Sequence, residues 1–339
     1  MTAECPECGT PTEPEDRFCE ACGADLGRGE SPVRLPTTDS AERAGTTTAT
    51  AVSDLAPSTG TTLVRRASRR ATREVAGAAA VSDRGRRHHR NEDAVGLAAV
   101  GPYVAVVIGD GVSTTANPDR ASRRATRAAL AVLVQGLEAT DGSAPQVAAL
   151  LARAVLAAQH AVLTVPNREP GRDVDTPSTT IVAAVVTDGS AIVASIGDSR
   201  AYWIAGIEGD SCLLTTDDSW AEQEIATGVE PAVAYADARA HIITRWLGAD
   251  AESSTPAITA IEIHEPGLLV VCTDGLWNYF ESADRLAALI ADGDARGARS
   301  PLETAHHMVE AALAAGGHDN ITVAVINANP VEATPVGSN

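Results

Sequence analysis

The order of strand-like and helix-like segments constrains this chain more than any other feature. Tyr103–Gly109 is a β-branched run that ends at Asp110-Gly111. Pro118 and Asp119 open a helical pattern that reaches about Ala139, and a second helical pattern spans Ala144–Leu163. Three strand patterns follow closely, at Thr180–Thr187, Ala191–Ile196 and Ala201–Ile204, with two more at Ala257–Ile263 and Leu268–Cys272. Helical periodicity returns over 282–292 and 301–315, and Ile321–Ile326 is a last strand. Strands cluster and helices come in pairs, unlike the one-to-one alternation of a doubly wound parallel sheet. The pattern predicts an α+β fold of stacked sheets with helices outside. Aromatic residues make up only 3% of the chain, so its core must be built from small aliphatic side chains.

Composition divides the chain into four zones. Residues 1–26 hold Cys5, Cys8, Cys19 and Cys22 as two Cys-x2-Cys pairs ten residues apart. Gly9 and Gly23 follow the pairs and allow tight turns whose N–H groups face sulfur. Four thiolates make a closed tetrahedral Zn²⁺ site with no position for water, hence a structural or recognition role. So short a segment needs its metal to fold. It resembles the short zinc ribbons found at the ends of many bacterial proteins. A redox dithiol pair would need a βαβ context that is missing here. Residues 27–74, rich in Thr, Ser, Ala, Pro, Gly and Arg, are expected to be a disordered linker. Residues 75–327 carry the alternating pattern, and 328–339 read as a disordered tail.

The net charge is -19, and all 26 basic residues are arginine. That balance disfavours a polyanion such as DNA, which needs clustered cations. It leaves open whether the acids gather around divalent metals or are simply solvated. No apolar run approaches the roughly 20 residues of a membrane helix, and no charged, apolar and cleavable leader opens the chain. A cytoplasmic protein is expected. The octamer RASRRATR occurs twice, at Arg66–Arg73 and Arg120–Arg127. The second copy falls on a predicted helix. The first ends the linker and sets Ser68 and Thr72 beside arginines, a setting basophilic kinases favour. Chance recurrence in an Arg/Ala-rich chain is the plainer explanation.

Acidic signatures recur in a fixed order. Ser82-Asp83-Arg84-Gly85 precedes Arg90-Asn91-Glu92-Asp93, and a strand then delivers Asp110-Gly111-Val112. Pro177–Thr180 enters the next strand, followed by Ile196-Gly197-Asp198-Ser199-Arg200 and Leu214–Ser219. Ile243–Gly248, Thr273-Asp274-Gly275 and Gly316-Gly317-His318-Asp319-Asn320 complete the set. A single Asp-Gly is usually a turn. Together these pieces resemble the catalytic domain of the type 2C metal-dependent Ser/Thr phosphatases, over about residues 78–327.

The resemblance implies a four-layer αββα sandwich, with two stacked antiparallel sheets flanked by helices. It implies two Mn²⁺ or Mg²⁺ ions, with a third possible, held by hard oxygen ligands. Asp110 would bridge two ions, with the Gly111 carbonyl beside it. Asp274 and Asp319 would complete one shell, and Glu92, with Asp93 next to it, would serve the second ion largely through water. Asp198 and Asp217 match an additional, weaker metal position, or else make structural hydrogen bonds. The implied reaction is attack of a dinuclear-metal-bound hydroxide on phosphorus, with no nucleophilic Ser or Cys. Asn320 would orient Asp319, Arg200 would pair locally, and Ser178 and Thr179 would satisfy strand-edge backbone.

Two positions depart from the family pattern. His88 stands where many relatives have a phosphate-gripping Arg, so His88 in protonated form, Arg87 or Arg90 takes that role. Ser113-Thr114 replaces a pair of glycines after Val112, and Val112 itself replaces a His of eukaryotic relatives. The leaving-group acid is then His88, His89 or a metal-bound water. Residues 218–242 correspond to a substrate-side flap, acidic at Glu222, Glu224 and Glu230 with Arg239 near its end, or to a solvated helix pair. The expected partners are phosphorylated proteins and an opposing bacterial-type Ser/Thr kinase. The competing readings are a catalytically silent scaffold, an interaction protein working through the zinc ribbon, and a nucleic-acid binder using the ribbon and Arg65–Arg73, which the net charge disfavours.

Overall fold

The computed structural model describes residues 3–4, 11–12, 69–167, 176–206, 209–298 and 300–330. The chain divides into two units, Met1–Ser58 and Thr59–Asn339. Of the first, the described part is a two-stranded antiparallel ladder, β1 (Ala3–Glu4) with β2 (Pro11–Thr12). Cys5, Cys8, Cys19 and Cys22 lie outside the described residues, as do 27–68 of the linker and 331–339 of the tail.

In the second unit the strands are β3 (Arg70–Val75), β4 (Ala78–Asp83), β5 (Asp93–Val100), β6 (Tyr103–Asp110), β7 (Ile181–Thr187), β8 (Ser190–Ile196), β9 (Arg200–Ala205), β10 (Cys212–Leu213), β11 (Ala257–Glu262), β12 (Gly267–Cys272) and β13 (Ile321–Ala328). The helices are α1 (Pro118–Leu137), α2 (Ala144–Val162), α3 (Trp220–Ala226), α4 (Pro231–Tyr235), α5 (Asp274–Trp277), α6 (Ala283–Ala295) and α7 (Pro301–Ala315). A six-stranded sheet runs β10-β9-β12-β13-β4-β3 and a five-stranded sheet runs β11-β8-β7-β6-β5, and every pairing is antiparallel.

Period-two alternation builds the layers. On β6 and β7, Ala105, Val107, Ile181, Ala183 and Val185 pack under α1 and α2. Their neighbours Val106, Ile108, Val182 and Ala184 turn the other way, onto Ala80, Ala201, Val271 and Ala324 of the six-stranded sheet. The outer face of that sheet, with Val81, Tyr202, Val270 and Val323, lies under α6 and α7. The result is the expected αββα sandwich. Alanines such as Ala80, Ala184, Ala201 and Ala324 pack with Val, Leu and Ile side chains between the sheets, with Trp203 as the one aromatic among the described residues of that cluster.

Strand β3 corrects the expected domain boundary. Arg70–Val75 is paired along its length with β4, so the sandwich begins at least five residues before position 75 and takes in the end of the first octamer. Thr72 is therefore a strand residue rather than part of a flexible tether.

Candidate metal centre

Strand ends and the turns beside them bring the acids together. Asp93 opens β5 and Asp110 closes β6, and the two are direct cross-strand partners. Asp274 follows the end of β12, and Asp319 precedes β13, which lies beside β12 in the sheet. Asp198 sits in the β8–β9 turn. Each loop is pinned. Thr180 N donates to the Asp110 carbonyl at 2.8 Å and Thr179 Oγ1 to the same oxygen at 2.8 Å. Trp277 Nε1 donates to the Asp198 carbonyl at 2.9 Å.

Asn320 holds the loop that carries Glu92. Its Oδ1 accepts from Glu92 N at 2.6 Å, and its Nδ2 donates to the Arg84 and Arg90 carbonyls at 2.8 and 3.0 Å. It thus orders the 84–92 loop, while its own backbone N donates to Asp319 Oδ1 at 2.7 Å. Two glycines make this packing possible. A Cβ on Gly275 would lie 1.9 Å from the Asn320 carbonyl oxygen, and one on Gly85, which has a left-handed φ of +73°, would lie 1.9 Å from the Asp319 carbonyl oxygen. Any side chain there would push out the segment that presents Asp319.

Asp110, Asp198, Asp274 and Asp319 are half-buried, as is Glu92. Burial, then the charges of Asp93, Asp274, Asp198 and Asp319, push the Asp110 carboxyl well above its usual range. Burial followed by Asp198, Asp319 and Asp93 does the same to Asp274. Burial and the charge of Asp217 raise Asp198 to about 7. Burial is the leading cause for each of the three, and the charges of neighbouring acids in the same patch add to it.

Asp93 lies behind this group. It is 6% exposed, and burial raises it to about 7 even though the Thr273 and Thr322 hydroxyls donate to its Oδ2 at 2.9 and 2.7 Å. Its Oδ1 is buried without a hydrogen-bond partner. Asp93 backs Asp110 in the ladder rather than standing with the outer acids.

The donor set fits a hard divalent cation. It is all oxygen, and its half-buried carboxyls are raised by burial and by one another's charge, with no cation of the described residues in their midst. Among the described residues no three acids or imidazoles close into a cage around one point. Mg²⁺ and Mn²⁺ sites that keep several waters need no such cage.

The structure corrects one expected ligand. Asp217 is buried in an ion pair with Arg200, whose Nη2 and Nε approach its carboxylate at 2.7 to 3.1 Å, so both oxygens are taken. The Arg200 guanidinium also stacks on Trp277 at 3.8 Å. Asp217 therefore belongs to the core beneath Asp198. Its neighbour Asp218 accepts from Gly197 N at 2.9 Å and from Arg245 at 3.0 Å, fixing the same turn. Arg200 pairs locally, as expected. Ser178 and Thr179 satisfy backbone, with Val112 N donating to the Ser178 carbonyl at 3.0 Å.

The departures acquire partners. His88 is half-buried with Nε2 3.2 Å from Asp319 Oδ1. Arg87 is exposed and lies 2.8 Å from His318 Nε2. Arg90 is exposed, and only its carbonyl enters the loop network described here. Ser113, in place of a glycine, donates its hydroxyl to Glu92 Oε2 at 2.6 Å. Sequence reading missed this contact, and the unusual Ser-Thr after Val112 was the only available signal. The 218–242 segment is a helix pair, α3 and α4, with its own small core of Ala221, Ala234 and Ala240.

A protein phosphatase 2C family model matches residues 82–311. The chain belongs to the protein phosphatase 2C family. A zinc-ribbon domain model matches residues 2–26. The 2C-type phosphatase is 26% identical over 253 residues to the serine/threonine phosphatase stp of Listeria innocua, covering 73% of this chain and 94% of that protein. It is 30% identical over 251 residues to the serine/threonine protein phosphatase PstP of Mycobacterium tuberculosis, covering 73% of this chain but 44% of PstP. A crystal structure of the PstP catalytic domain in complex with two manganese ions matches it with a TM-score of 0.54 at 25% identity, over 77% of this chain and all of that one. Among the described residues of the phosphatase no helix is long and apolar enough to cross a membrane.

Proposed function

We propose that this phosphatase hydrolyses phosphoserine and phosphothreonine in proteins with two Mn²⁺ or Mg²⁺ ions, opposing a bacterial-type Ser/Thr kinase in the cytoplasm. The observation that carries this reading is the convergence of Asp110, Asp274, Asp198 and Asp319 from separate segments, with the first three carboxyls raised by burial and then by acidic neighbours.

Asp110, the Gly111 carbonyl, Asp274, Asp319 and Glu92 would hold the ions, with Asp198 as a further, weaker ligand. Bound there, divalent cations supply charge that activates water and neutralises phosphoryl oxygens. The residues of the chain do the rest. Thr179 and Thr180 fix the Asp110 main chain. Asn320 and Ser113 fix Glu92. His88, with Nε2 3.2 Å from Asp319 Oδ1, would hold a phosphoryl oxygen or move a proton to the leaving hydroxyl. Arg87 is the second candidate grip.

Cys5, Cys8, Cys19 and Cys22 would hold Zn²⁺ in a ribbon that acts apart from the chemistry, as a module on its linker. Release of phosphate from a phosphothreonine peptide, and of p-nitrophenol from p-nitrophenyl phosphate, should require added Mn²⁺ or Mg²⁺. A well-folded protein that ignores both metals in both assays would leave the scaffold reading instead.

A further inference from the structure

The repeated octamer has a structural outcome that metal chemistry does not use. Its first copy ends in β3, the edge of the six-stranded sheet, and its second copy forms the first turns of α1, which covers the edge strand β5 of the other sheet. The two copies meet where the sheets' edges meet, with Arg73 Nε donating to the Val95 carbonyl of β5 at 2.7 Å.

On α1 the spacing puts Arg120, Arg124 and Arg127 on one face, with Arg123 beside them, and all four are exposed. Asp119 takes Arg123, while Arg124 reaches neutral Thr164. Among the described residues no ion pair involves Arg120, Arg124 or Arg127. Burial, and next the charge of Arg127, push the Arg73 guanidinium below its ordinary pKa, so the two copies present like charges to each other. A chain of net charge -19 thus concentrates cations along one edge.

That edge is continuous with the metal rim. Pro118, at the start of α1, packs so closely on Gly111 that a Cβ there would lie 2.5 Å from the Pro118 carbonyl oxygen. Ser122, between the arginines, donates to the Glu92 carbonyl.

We propose that Arg120, Arg124 and Arg127 form a docking edge for acidic segments of phosphoprotein substrates, selecting phosphosites flanked by Asp, Glu or further phosphate. The proposal rests on the phosphatase reading and supplies its substrate class. Rim charges of this kind act through encounter rate and are screened by salt. They lie outside the carboxylate cluster, so chemistry on a small substrate should not feel them.

The test uses the full chain with Mn²⁺ and two labelled phosphothreonine peptides of equal length, one flanked by Asp and Glu and one by Gln and Ser. The expected kcat/KM is about tenfold higher for the acidic peptide near 50 mM salt, and the two values converge near 0.5 M. In R120E/R127E the preference should vanish while p-nitrophenyl phosphate hydrolysis is unchanged. R120Q/R127Q gives the same reading should the reversal disturb folding. Equal kcat/KM in the parent protein, or a preference that survives both variants, overturns the proposal. Fluorescence anisotropy reads docking without turnover. Salt-sensitive binding of the acidic peptide, lost in the double variant, supports the edge even if Mn²⁺-dependent hydrolysis fails and the phosphatase reading falls. Absent binding, or tighter binding of a single-stranded RNA of equal charge, overturns it.

Discussion

Two groups of buried or half-buried carboxylates lie close together in this phosphatase, and they are stabilised in opposite ways. Asp217 is matched by Arg200, and Asp83 by Arg70 at 2.9 Å and Arg69 at 3.4 Å. Asp110, Asp274 and Asp198 are raised first by burial and then by acidic neighbours, Asp93 foremost for Asp110, Asp198 for Asp274 and Asp217 for Asp198. A carboxylate whose cation is supplied by the chain is part of the scaffold. A cluster whose cations are missing from the chain is strained without an outside partner, as the proposed metal site would require.

The sharpest way to break this contrast is to swap charges in each group. D274N should lower turnover at saturating Mn²⁺ by about a thousandfold, the upper end for removing one electrostatic stabiliser, while the metal-free protein melts no lower than the parent. D217N should do the reverse, costing about 3–5 kcal/mol in urea unfolding because Arg200 is left buried without its partner. A D274N variant that unfolds, or a D217N variant as stable as the parent, would erase the distinction.

The metal-free protein should also lose stability as pH rises from about 4 to 7. Asp93 and Asp198 are raised to about 7 in the folded chain. Between their unfolded and folded pKa values they are protonated when folded and ionised when unfolded, so the unfolded state binds fewer protons and stability falls with pH. Tm should drop by about 5–10 °C across that window. Saturating Mn²⁺ should flatten the slope, with protons released on binding as calorimetry in two buffers would show. A metal-free Tm that rises over the same range would contradict the raised carboxyls.

The smallest effect is expected at His88, the neighbour of Asp319. H88A should reduce kcat/KM by no more than about tenfold, the worth of one hydrogen bond to a charged group. H88R should lower KM for a phosphopeptide by gripping its phosphoryl oxygens bidentately. Loss of all activity in H88A, with metal affinity intact, would make His88 the leaving-group acid rather than a grip.

Much of the fold was legible because β-branched runs such as Val104–Ile108 and Ile181–Val186 are strands under almost any context. β4 and β5 were not picked out. Ala78-Ala79-Ala80 and Gly96-Leu97-Ala98-Ala99 have weak strand preference, and pairing with β13 and β6 makes them strands. β3, with Arg70, Arg73 and Glu74 in six residues, has the composition of a tether, and its ladder to β4 overrides that. In the site, Asp110 and Asp274 were marked by strand ends followed by glycine. Asp217 was misplaced because a carboxylate after a strand reads the same whether a metal or an arginine faces it.

The residues alone determined the order of elements, the supply of oxygen ligands at strand ends, the paired Cys-x2-Cys spacing and the two arginine octamers. These are local properties, fixed by side-chain type and by periods of two or 3.6 residues. Tertiary structure decided which acids share a patch, which one Arg200 neutralises, that Ser113 reaches Glu92, and that the octamers meet at one edge. Those outcomes depend on distances between segments far apart in the chain, set by sheet pairing and by close contacts at Gly85 and Gly275, and no local pattern encodes them.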